Sequence, residues 1–249
     1  MASLKEVKGR IASVNSTRKI TSAMKMVASA KLHKAQAAIE SMLPYERRLH
    51  HILTDFMSNC TEVTSPFIVK REVKKVAVVV FASNTSLCGG FNANVIRHLV
   101  DLLAEYKPLG LENILVFPVG KKVADAVRKL GFRIEGDFQH MADKPSYQEA
   151  ADLAADLMKR FLHGDVDKVE LLYNHFKSTA SQILTRETYL PIDLNNEKKE
   201  EERTIDYILE PSAEELMQEM LPKVLRMKMF TVLLDSNAAE HAARTMAMQ

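Results

Sequence analysis

Apolar side chains recur at alternating spacings of three and four residues along the first part of the chain. The repeat occupies Leu4, Val7, Ile11, Val14, Ala28, Leu32, Ala35, Ile39, Met42, Leu49, Leu53 and Phe56. Neither glycine nor proline occurs between Arg10 and Leu43, and alanine, lysine, methionine and glutamine, which all favour helix, are frequent. So long a repeat predicts a coiled-coil helix over residues 1–58, and a long helix lying on a domain is the alternative.

From Lys74 onward, short apolar runs alternate with amphipathic stretches. Strands are predicted at 76–81, 114–117, 132–138, 168–173 and 183–192, and helices at 92–106, 121–130 and 147–162, the last capped by Ser146. Runs such as 76–81 are apolar at consecutive positions, which is typical of strands covered on both faces. The alternation predicts a Rossmann-like α/β domain over residues 74–195, built around a largely parallel sheet.

The last part of the chain carries a second helical repeat. A capping box at Ser212 and Glu215 predicts where the helix begins, and Pro222 is expected to open its main segment. The spacing of three and four residues returns at Val224, Met227, Thr231, Leu234 and Ala238. Residues 212–249 are predicted to pair antiparallel with the first helix, and this second helix is expected to be cut short at Gln249. The expected fold class is α/β: an antiparallel coiled coil of N- and C-terminal helices bracketing a Rossmann-like α/β domain.

Charge is unevenly distributed along the chain, whose formal net charge is only +2. Residues 1–35 carry one acidic side chain, Glu6, and eight basic ones: Lys5, Lys8, Arg10, Arg18, Lys19, Lys25, Lys31 and Lys34. A basic helix of this kind is a solvated face, a phosphate-binding surface or the counterpart of an acidic protein surface. Because no aromatic residue precedes Tyr45, stacking on bases is unavailable there, which disfavours nucleic acid.

The composition excludes several classes of protein. No window approaches the roughly 18 apolar residues of a membrane span, and the N-terminus has the features of neither a secretory signal nor a transit peptide. We therefore expect the protein to stay on the cytoplasmic side of a bacterium. Two cysteines, Cys60 and Cys88, predict neither a disulfide framework nor a metal motif, and the scattered histidines include no H-E-x-x-H pair.

The turn at 83–90, Ser-Asn-Thr-Ser-Leu-Cys-Gly-Gly, is the candidate for a nucleotide site because it follows the first strand. It matches neither G-x-G-x-x-G nor the P-loop, and no lysine is placed to reach a phosphate. A tight turn that needs glycine is the favoured interpretation, with phosphate binding as the alternative. Cys88 is interpreted as a buried structural thiol rather than a nucleophile. We predict no catalytic residue, cofactor site or metal site, and expect a mechanical part rather than an enzyme.

Four segments carry a resemblance to a known family. In chain order they are 18–31 (RKITSAMKMVASAK), 87–92 (LCGGFN), 206–211 (DYILEP) and 240–248 (EHAARTMAM). With these segments the chain resembles the gamma subunit of the F-type ATP synthase, of the bacterial type, along nearly its whole length. The resemblance implies a central rotor shaft that couples proton translocation through the membrane sector to ATP synthesis or hydrolysis in a catalytic hexamer. It also implies that the chain itself binds no nucleotide for chemistry.

The resemblance further implies partners and contact residues. The partners are the alpha and beta subunits of the hexamer, the epsilon subunit and the membrane-embedded c-ring, and nucleic acid is not among them. The shaft would lie at the cytoplasmic face of the bacterial inner membrane, attached through the complex. The expected contact residues, matched by position, are Lys19, Met24, Lys25, Arg244, Tyr207 and Glu210. The first four would lie against or near an acidic surface of the hexamer, and the last two near the ring.

Two features depart from the family pattern. Where the family has an acidic residue followed by a basic-glycine pair, this chain has Asn84, Thr85 and Ser86, and the family is expected to continue past the position of Gln249. Two other functions remain as alternatives. One is a nucleotide-binding α/β protein with helical extensions, which tight binding of ATP or NAD would favour. The other is a basic coiled-coil adaptor for nucleic acid, which a steep salt dependence of DNA binding would favour.

Overall fold

A computed structural model describes residues 3–59, 65–192 and 213–249 of the chain. Two long helices, α1 (Leu4–Asn59) and α6 (Ala213–Ala247), bracket an α/β domain. The elements of that domain, in chain order, are β1 (Val76–Phe81), α2 (Phe91–Tyr106), β2 (Ile114–Val119), α3 (Lys121–Leu130), β3 (Arg133–Ile134), α4 (Gln139–Asp143), α5 (Tyr147–His163), β4 (Lys168–Ser178) and β5 (Ser181–Leu190). The predicted fold class is confirmed.

The five strands form one sheet in the order β3-β2-β1-β4-β5. Strand β1 runs parallel to β2 and β4, β2 runs parallel to β3, and only β5 is antiparallel to its neighbour. Side chains of β1 alternate between two cores: Val78 packs with α2 and α3, whereas Val79 packs with α5 and α6. The consecutive apolar run at 76–81 is therefore explained by helices on both faces of the sheet.

Helix α6 belongs to the core of the α/β domain as well as to the coiled coil. Its first half packs Met217, Leu221, Leu225 and Met229 into the same apolar cluster as α5 and β4. The expectation that Pro222 opens the main helical segment is wrong, because the helix begins at Ala213 and continues through the proline. Burial of residues on both sides of the proline stabilises the helix despite the backbone hydrogen bond that proline cannot donate.

Helices α1 and α6 pack antiparallel over the middle of α1. Leu32 and Ala35 cluster with Ala238 and Ala242, where small side chains let the two backbones approach closely. The direction follows from the order of electrostatic interactions along the two helices. Lys31 of α1 interacts with His241 of α6. Glu46, which comes later in α1, interacts with Tyr173, and Tyr173 also interacts with Asp235, which comes earlier in α6. The coiled coil predicted from the repeat is thus present in this middle region.

The predicted seam is open along the first half of α1. Leu4, Val7, Ile11 and Val14 are exposed, by 74% at Leu4 and 66% at Val14. The first buried residue of α1 is Ala28. The N-terminal half of the repeat is therefore left uncovered by the part of the chain that the structure describes.

Several local predictions need correction or fall outside the described residues. The strand expected at 132–138 shrinks to β3, because Gly136, with a φ of 74°, turns the chain towards α4. Ser146 precedes α5 without a side-chain capping bond. Strand β4 continues past its predicted end to Ser178, and β5 both begins and ends two residues earlier than predicted, so that the two form a hairpin that reaches the coiled coil through Phe176. The positions Cys60, Tyr207, Glu210 and Ser212 lie outside the described residues.

Candidate functional site

The basic segment, residues 4–27 of α1, is the largest uncovered surface of a helix in the described chain. Its apolar side chains Leu4, Val7, Ile11, Val14, Ile20, Met26 and Val27 are exposed beside its lysines and arginines. One of its charges is neutralised locally, since Arg10 pairs with Glu6 at 2.7 Å and both side chains face solvent. An exposed helix face that combines apolar and basic groups is suited to contact a partner surface that is both apolar and acidic.

Three of the predicted contact residues lie in the second half of this segment. Lys19 is exposed, whereas Met24 and Lys25 are partly buried. They precede Ala28 and therefore stand directly beside the point where α1 becomes buried.

Arg244, the fourth predicted residue, is buried with 9% of its surface exposed. Its guanidinium donates to the Ser86 carbonyl, to Thr85 Oγ1 at 2.9 Å and to Glu240 Oε1 at 2.7 Å. Glu240 is itself buried, so the ion pair compensates two charges that would be costly alone. The structure therefore places Arg244 inside the molecule, between α6 and the turn that follows β1.

That turn carries an unusual backbone conformation. Leu87 has a φ of 67°, in the left-handed region, and its side chain is 60% exposed. The neighbouring Cys88 is buried, and its Sγ lies 3.1 Å from Asn92 Nδ2 and 3.7 Å from Ser83 Oγ. Enclosure by these polar groups supports the interpretation of Cys88 as a structural thiol.

The hydrogen bonds of Asn84 account for an asparagine where the family has an acidic residue. Its Nδ2 donates to the Gln139 carbonyl at 2.8 Å and to Asp143 Oδ2 at 2.7 Å, while its Oδ1 accepts from the Lys121 amide at 2.8 Å. An amide supplies both the donor and the acceptor that this position requires. An acidic side chain here would face the carboxylate of Asp143, so the asparagine fits its surroundings in this chain.

Helix α6 occupies the space beyond the carboxyl ends of the strands, where α/β folds of this class bind ligands. Asn237 Nδ2 donates to the Ala142 carbonyl at 2.9 Å and so fixes α6 to α4. A cavity of about 10 Å³ remains between Ala82, Val119, Ser236 and Glu240. That volume accommodates about one water molecule. Within the part of the chain that the structure describes, α6 therefore covers this edge of the sheet.

Two titratable groups near the end of α6 have shifted pKa values. Burial raises the pKa of Glu240, although the adjacent Arg244 acts in the opposite direction. Burial, reinforced by the positive charges of Lys31 and Arg244, lowers the pKa of His241 to about 4. His241 is therefore neutral at physiological pH, and its Nδ1 atom is buried without a hydrogen-bond partner.

We expect His241 to make the protein less stable in mild acid. The pKa of an unfolded histidine is about 6.5, so between that pH and about pH 4 the unfolded chain binds a proton that the folded chain excludes. Stability is therefore lost as pH falls through this window, by up to about 3 kcal/mol at its lower end. Urea unfolding of the purified chain and of His241→Gln, each followed from pH 7.5 to pH 4.5, measures this loss.

The variant is the control for all other titrating groups, including Glu240, whose raised pKa acts in the opposite direction in both proteins. The unfolding free energy of the unchanged chain should decrease relative to that of His241→Gln as pH falls from 7.5 to 4.5. Parallel pH profiles for the two proteins would contradict the assignment.

Some residues of this region were not predicted from the sequence. Glu240 stands one helical turn before Arg244, and this i,i+4 spacing of opposite charges is a signal that could have identified the pair. Leu87 gave no such signal, because leucine is rarely found with a positive φ. The hydrogen bonds of Asn84 join three separate elements and depend on the tertiary fold.

Two kinds of feature, a metal-binding cluster and a membrane-spanning helix, are absent from the residues that the structure describes. No group of three or more histidine, cysteine, aspartate or glutamate side chains is placed to hold a metal ion. None of the helices within residues 3–59, 65–192 and 213–249 has the length and hydrophobicity that a membrane span requires.

Comparison with known proteins gives a consistent set of similarities. A family model described as ATP synthase matches residues 3–249. The ATP synthase gamma chain of Phocaeicola vulgatus is 80% identical over 251 aligned positions, which cover 100% of this chain and 87% of the relative. The ATP synthase gamma chain of Bacteroides thetaiotaomicron is 61% identical, again over 100% of this chain and 87% of the relative.

Two solved structures share the fold. The central stalk and c-ring structure of the Tetrahymena thermophila mitochondrial ATP synthase contains a chain with a TM-score of 0.64 and 22% identity, and the match covers 92% of this chain and 97% of that one. The rotor of the Euglena gracilis mitochondrial ATP synthase matches with a TM-score of 0.60 and 18% identity, over 97% of this chain and 87% of its own.

Proposed function

The chain belongs to the ATP synthase gamma-chain family, and we propose that it contacts the catalytic hexamer of that complex through its basic segment, residues 4–27. As a gamma chain it is a non-catalytic subunit, and it serves as the rotating central shaft that couples ion movement to ATP synthesis. The uncovered basic and apolar face of α1 is the observation that supports this contact with the hexamer.

The charge of the basic segment supports an acidic partner. Residues 1–35 have eight basic side chains and one acidic side chain, and the single acid is already paired with Arg10. Complementary potential between such a helix and an acidic surface directs the approach of the partner and selects its register. Because these charges are exposed, the attraction weakens as salt increases.

The exposed apolar side chains support a close contact rather than a purely electrostatic one. Ile11, Val14 and Ile20 are each more than half exposed. Burial of apolar surface contributes about 25 cal/mol per Å², so a partner that encloses this face gains substantial free energy. Lys19, Met24 and Lys25 would then be the polar and flexible contacts at the edge of the enclosed helix, next to Ala28.

Arg244 has a different role in the proposal. Since it is buried behind the turn at 83–90, it would act on the hexamer contact by fixing the structure beside it rather than by touching the partner. Tyr207 and Glu210 keep the role expected from the family, near the c-ring. In this arrangement the complex holds the chain at the cytoplasmic face of the bacterial inner membrane.

Co-purification tests the proposed assembly. The chain, carrying an affinity tag, is expressed in the source cell and recovered from detergent-solubilised membranes. We expect the alpha, beta and epsilon subunits and the c-ring to be recovered with it, as identified by mass spectrometry. A variant with six alanines at Lys5, Lys8, Arg10, Arg18, Lys19 and Lys25 should recover less alpha and beta subunit. Equal recovery by the two proteins would contradict the proposed role of the basic segment.

A further inference from the structure

The turn after β1 places a strained leucine on the surface. A left-handed conformation such as that of Leu87 is unfavourable for a residue with a Cβ atom, because that atom crowds the backbone, whereas glycine adopts it freely. Such conformations persist where the surrounding structure determines them, and they concentrate at functional positions. The apolar side chain of Leu87 also gains little from burial in the chain, since most of it faces solvent. The surrounding structure must therefore impose this conformation.

Both flanks of Leu87 are fixed by contacts outside the turn. On one side, Arg244 binds the Ser86 carbonyl and the Thr85 hydroxyl. On the other side, Cys88 is buried in a cluster with Phe91, Ala239 and Ala243. Both sets of contacts lead to the end of α6, so the conformation of Leu87 depends on that helix.

The Glu240–Arg244 pair is suited to this task because all of its bonds are charge-assisted. Glu240 lies one helical turn from Arg244 and holds the guanidinium at 2.7 Å, which leaves the other donors of the guanidinium to reach across to the turn. Arginine presents these donors in a rigid plane, whereas lysine offers a single charged point. The pair therefore joins α6 to a segment that starts at the end of the central strand β1.

We propose that the Glu240–Arg244 pair is a positioning element that fixes the strained Leu87 turn against the end of α6, so that this part of the shaft and the sheet domain rotate as one body. The inference deepens the proposed function and rests on it, because rotation matters only if the chain is the shaft. Torque applied at the sheet domain then reaches the basic segment with little loss to bending of the turn.

Hydrogen exchange in the purified synthase complex tests the positioning role. The variant Glu240→Gln/Arg244→Gln removes the pair without leaving one buried charge unpaired. Its readout is the exchange of the Ser83 and Phe91 amides, which are bonded to Asn92 Oδ1 and to the Cys88 carbonyl at the two ends of the turn. We expect exchange at both amides to become about 10-fold to 100-fold faster, while the core of α2, at Leu99, is unchanged.

Leu87→Gly distinguishes positioning from a merely structural role. Glycine adopts the left-handed conformation without strain, so adding it to the double variant should restore slow exchange at Ser83 and Phe91. The same three proteins should differ in ATP-driven proton pumping per ATP hydrolysed: low in the double variant and recovered with Leu87→Gly. Exchange that is unaffected in the double variant, or not restored by the glycine, would overturn the proposal.

The outcome is separable from that of the proposed function. If the basic segment did not contact the hexamer, charge reversal there would leave pumping normal while the exchange pattern of the turn still appeared. If the pair did not position the turn, the exchange pattern would be missing even though charge reversal in the basic segment reduced pumping.

Discussion

Reversing two charges, with Lys19→Glu and Lys25→Glu combined, is expected to weaken the chain's binding to the catalytic hexamer by roughly thirtyfold. Each exposed ion pair contributes up to about 1 kcal/mol, and reversal replaces attraction with repulsion, so a total near 2 kcal/mol is reasonable. Lys19 is exposed and Lys25 partly buried, so neither substitution disturbs the core. The dissociation constant for immobilised alpha–beta hexamer, measured at low and at high salt, provides the test.

The control variant has the same change in net charge, placed on the α/β domain instead of on α1. Lys107 and Lys129 are both exposed on the α/β domain, and Lys107→Glu with Lys129→Glu also changes the net charge by −4. This control should bind the hexamer nearly as the unchanged chain does. The defect of the Lys19/Lys25 variant should shrink at high salt, because screening reduces repulsion between exposed charges. Equal weakening of both variants would indicate a general effect of net charge instead.

Gly120→Ala is expected to destabilise the α/β domain by about 4 kcal/mol or more. Gly120 links β2 to α3 with a φ of 113° and a ψ of 145°, a conformation that other residues rarely adopt. A Cβ atom there would lie 2.1 Å from the Ala82 carbonyl oxygen, and a backbone atom in a hydrogen-bonded strand end cannot move aside. Urea unfolding of the purified variant measures the loss.

Gly131→Ala is the matched control. Gly131 ends α3 with a φ of 77°, but no atom lies within 4 Å of the position that a Cβ would take. Only the backbone strain remains, which costs about 1 to 2 kcal/mol. The difference between the two variants isolates the steric clash with Ala82, the residue that follows β1. If Gly120→Ala cost no more than Gly131→Ala, the close approach of the two strand ends would be contradicted.

The sheet domain was predicted closely because its signals are local. The strand at Val76–Phe81 and the helix at Lys121–Leu130 have the predicted bounds. A strand covered on both faces is apolar at every position, and an amphipathic helix followed by glycine has a clear end. The short strand β3 was overestimated because its end depends on Gly136 and on the packing of α4, neither of which has a periodic signal.

The helices were less predictable because a single helix, α6, packs against two neighbours, the sheet domain and α1. The repeat of α6 from Val224 to Ala238 predicted a coiled-coil seam, but the same helix also packs Leu225 and Met229, which lie outside that repeat, into the sheet domain. Periodicity identifies an apolar face and does not identify what covers it. For the same reason the repeat at Leu4 to Val14 predicted a seam that lies exposed in the described chain.

The candidate site was also only partly predictable from the sequence. The basic character of α1 is a property of composition and was predicted from the sequence. The assignment of Lys19 and Lys25 as hexamer contacts, which comes from the resemblance, stays a prediction. The burial of Arg244 and the strained conformation of Leu87 were not readable, because both arise from the approach of α6 to the turn after β1. These contacts distinguish residues that would touch the partner from buried residues, such as Arg244, that would act by positioning their neighbours.

A photo-crosslinking amino acid placed at positions 19, 25 and 129 tests the central claim most directly. Each substituted chain is incorporated into the complete synthase, irradiated, and its crosslinked products are identified by mass spectrometry. The account predicts crosslinks to the beta subunit from positions 19 and 25 and none to that subunit from position 129. Crosslinks to the beta subunit from position 129, with none from positions 19 and 25, would contradict the assignment of the basic segment as the hexamer contact.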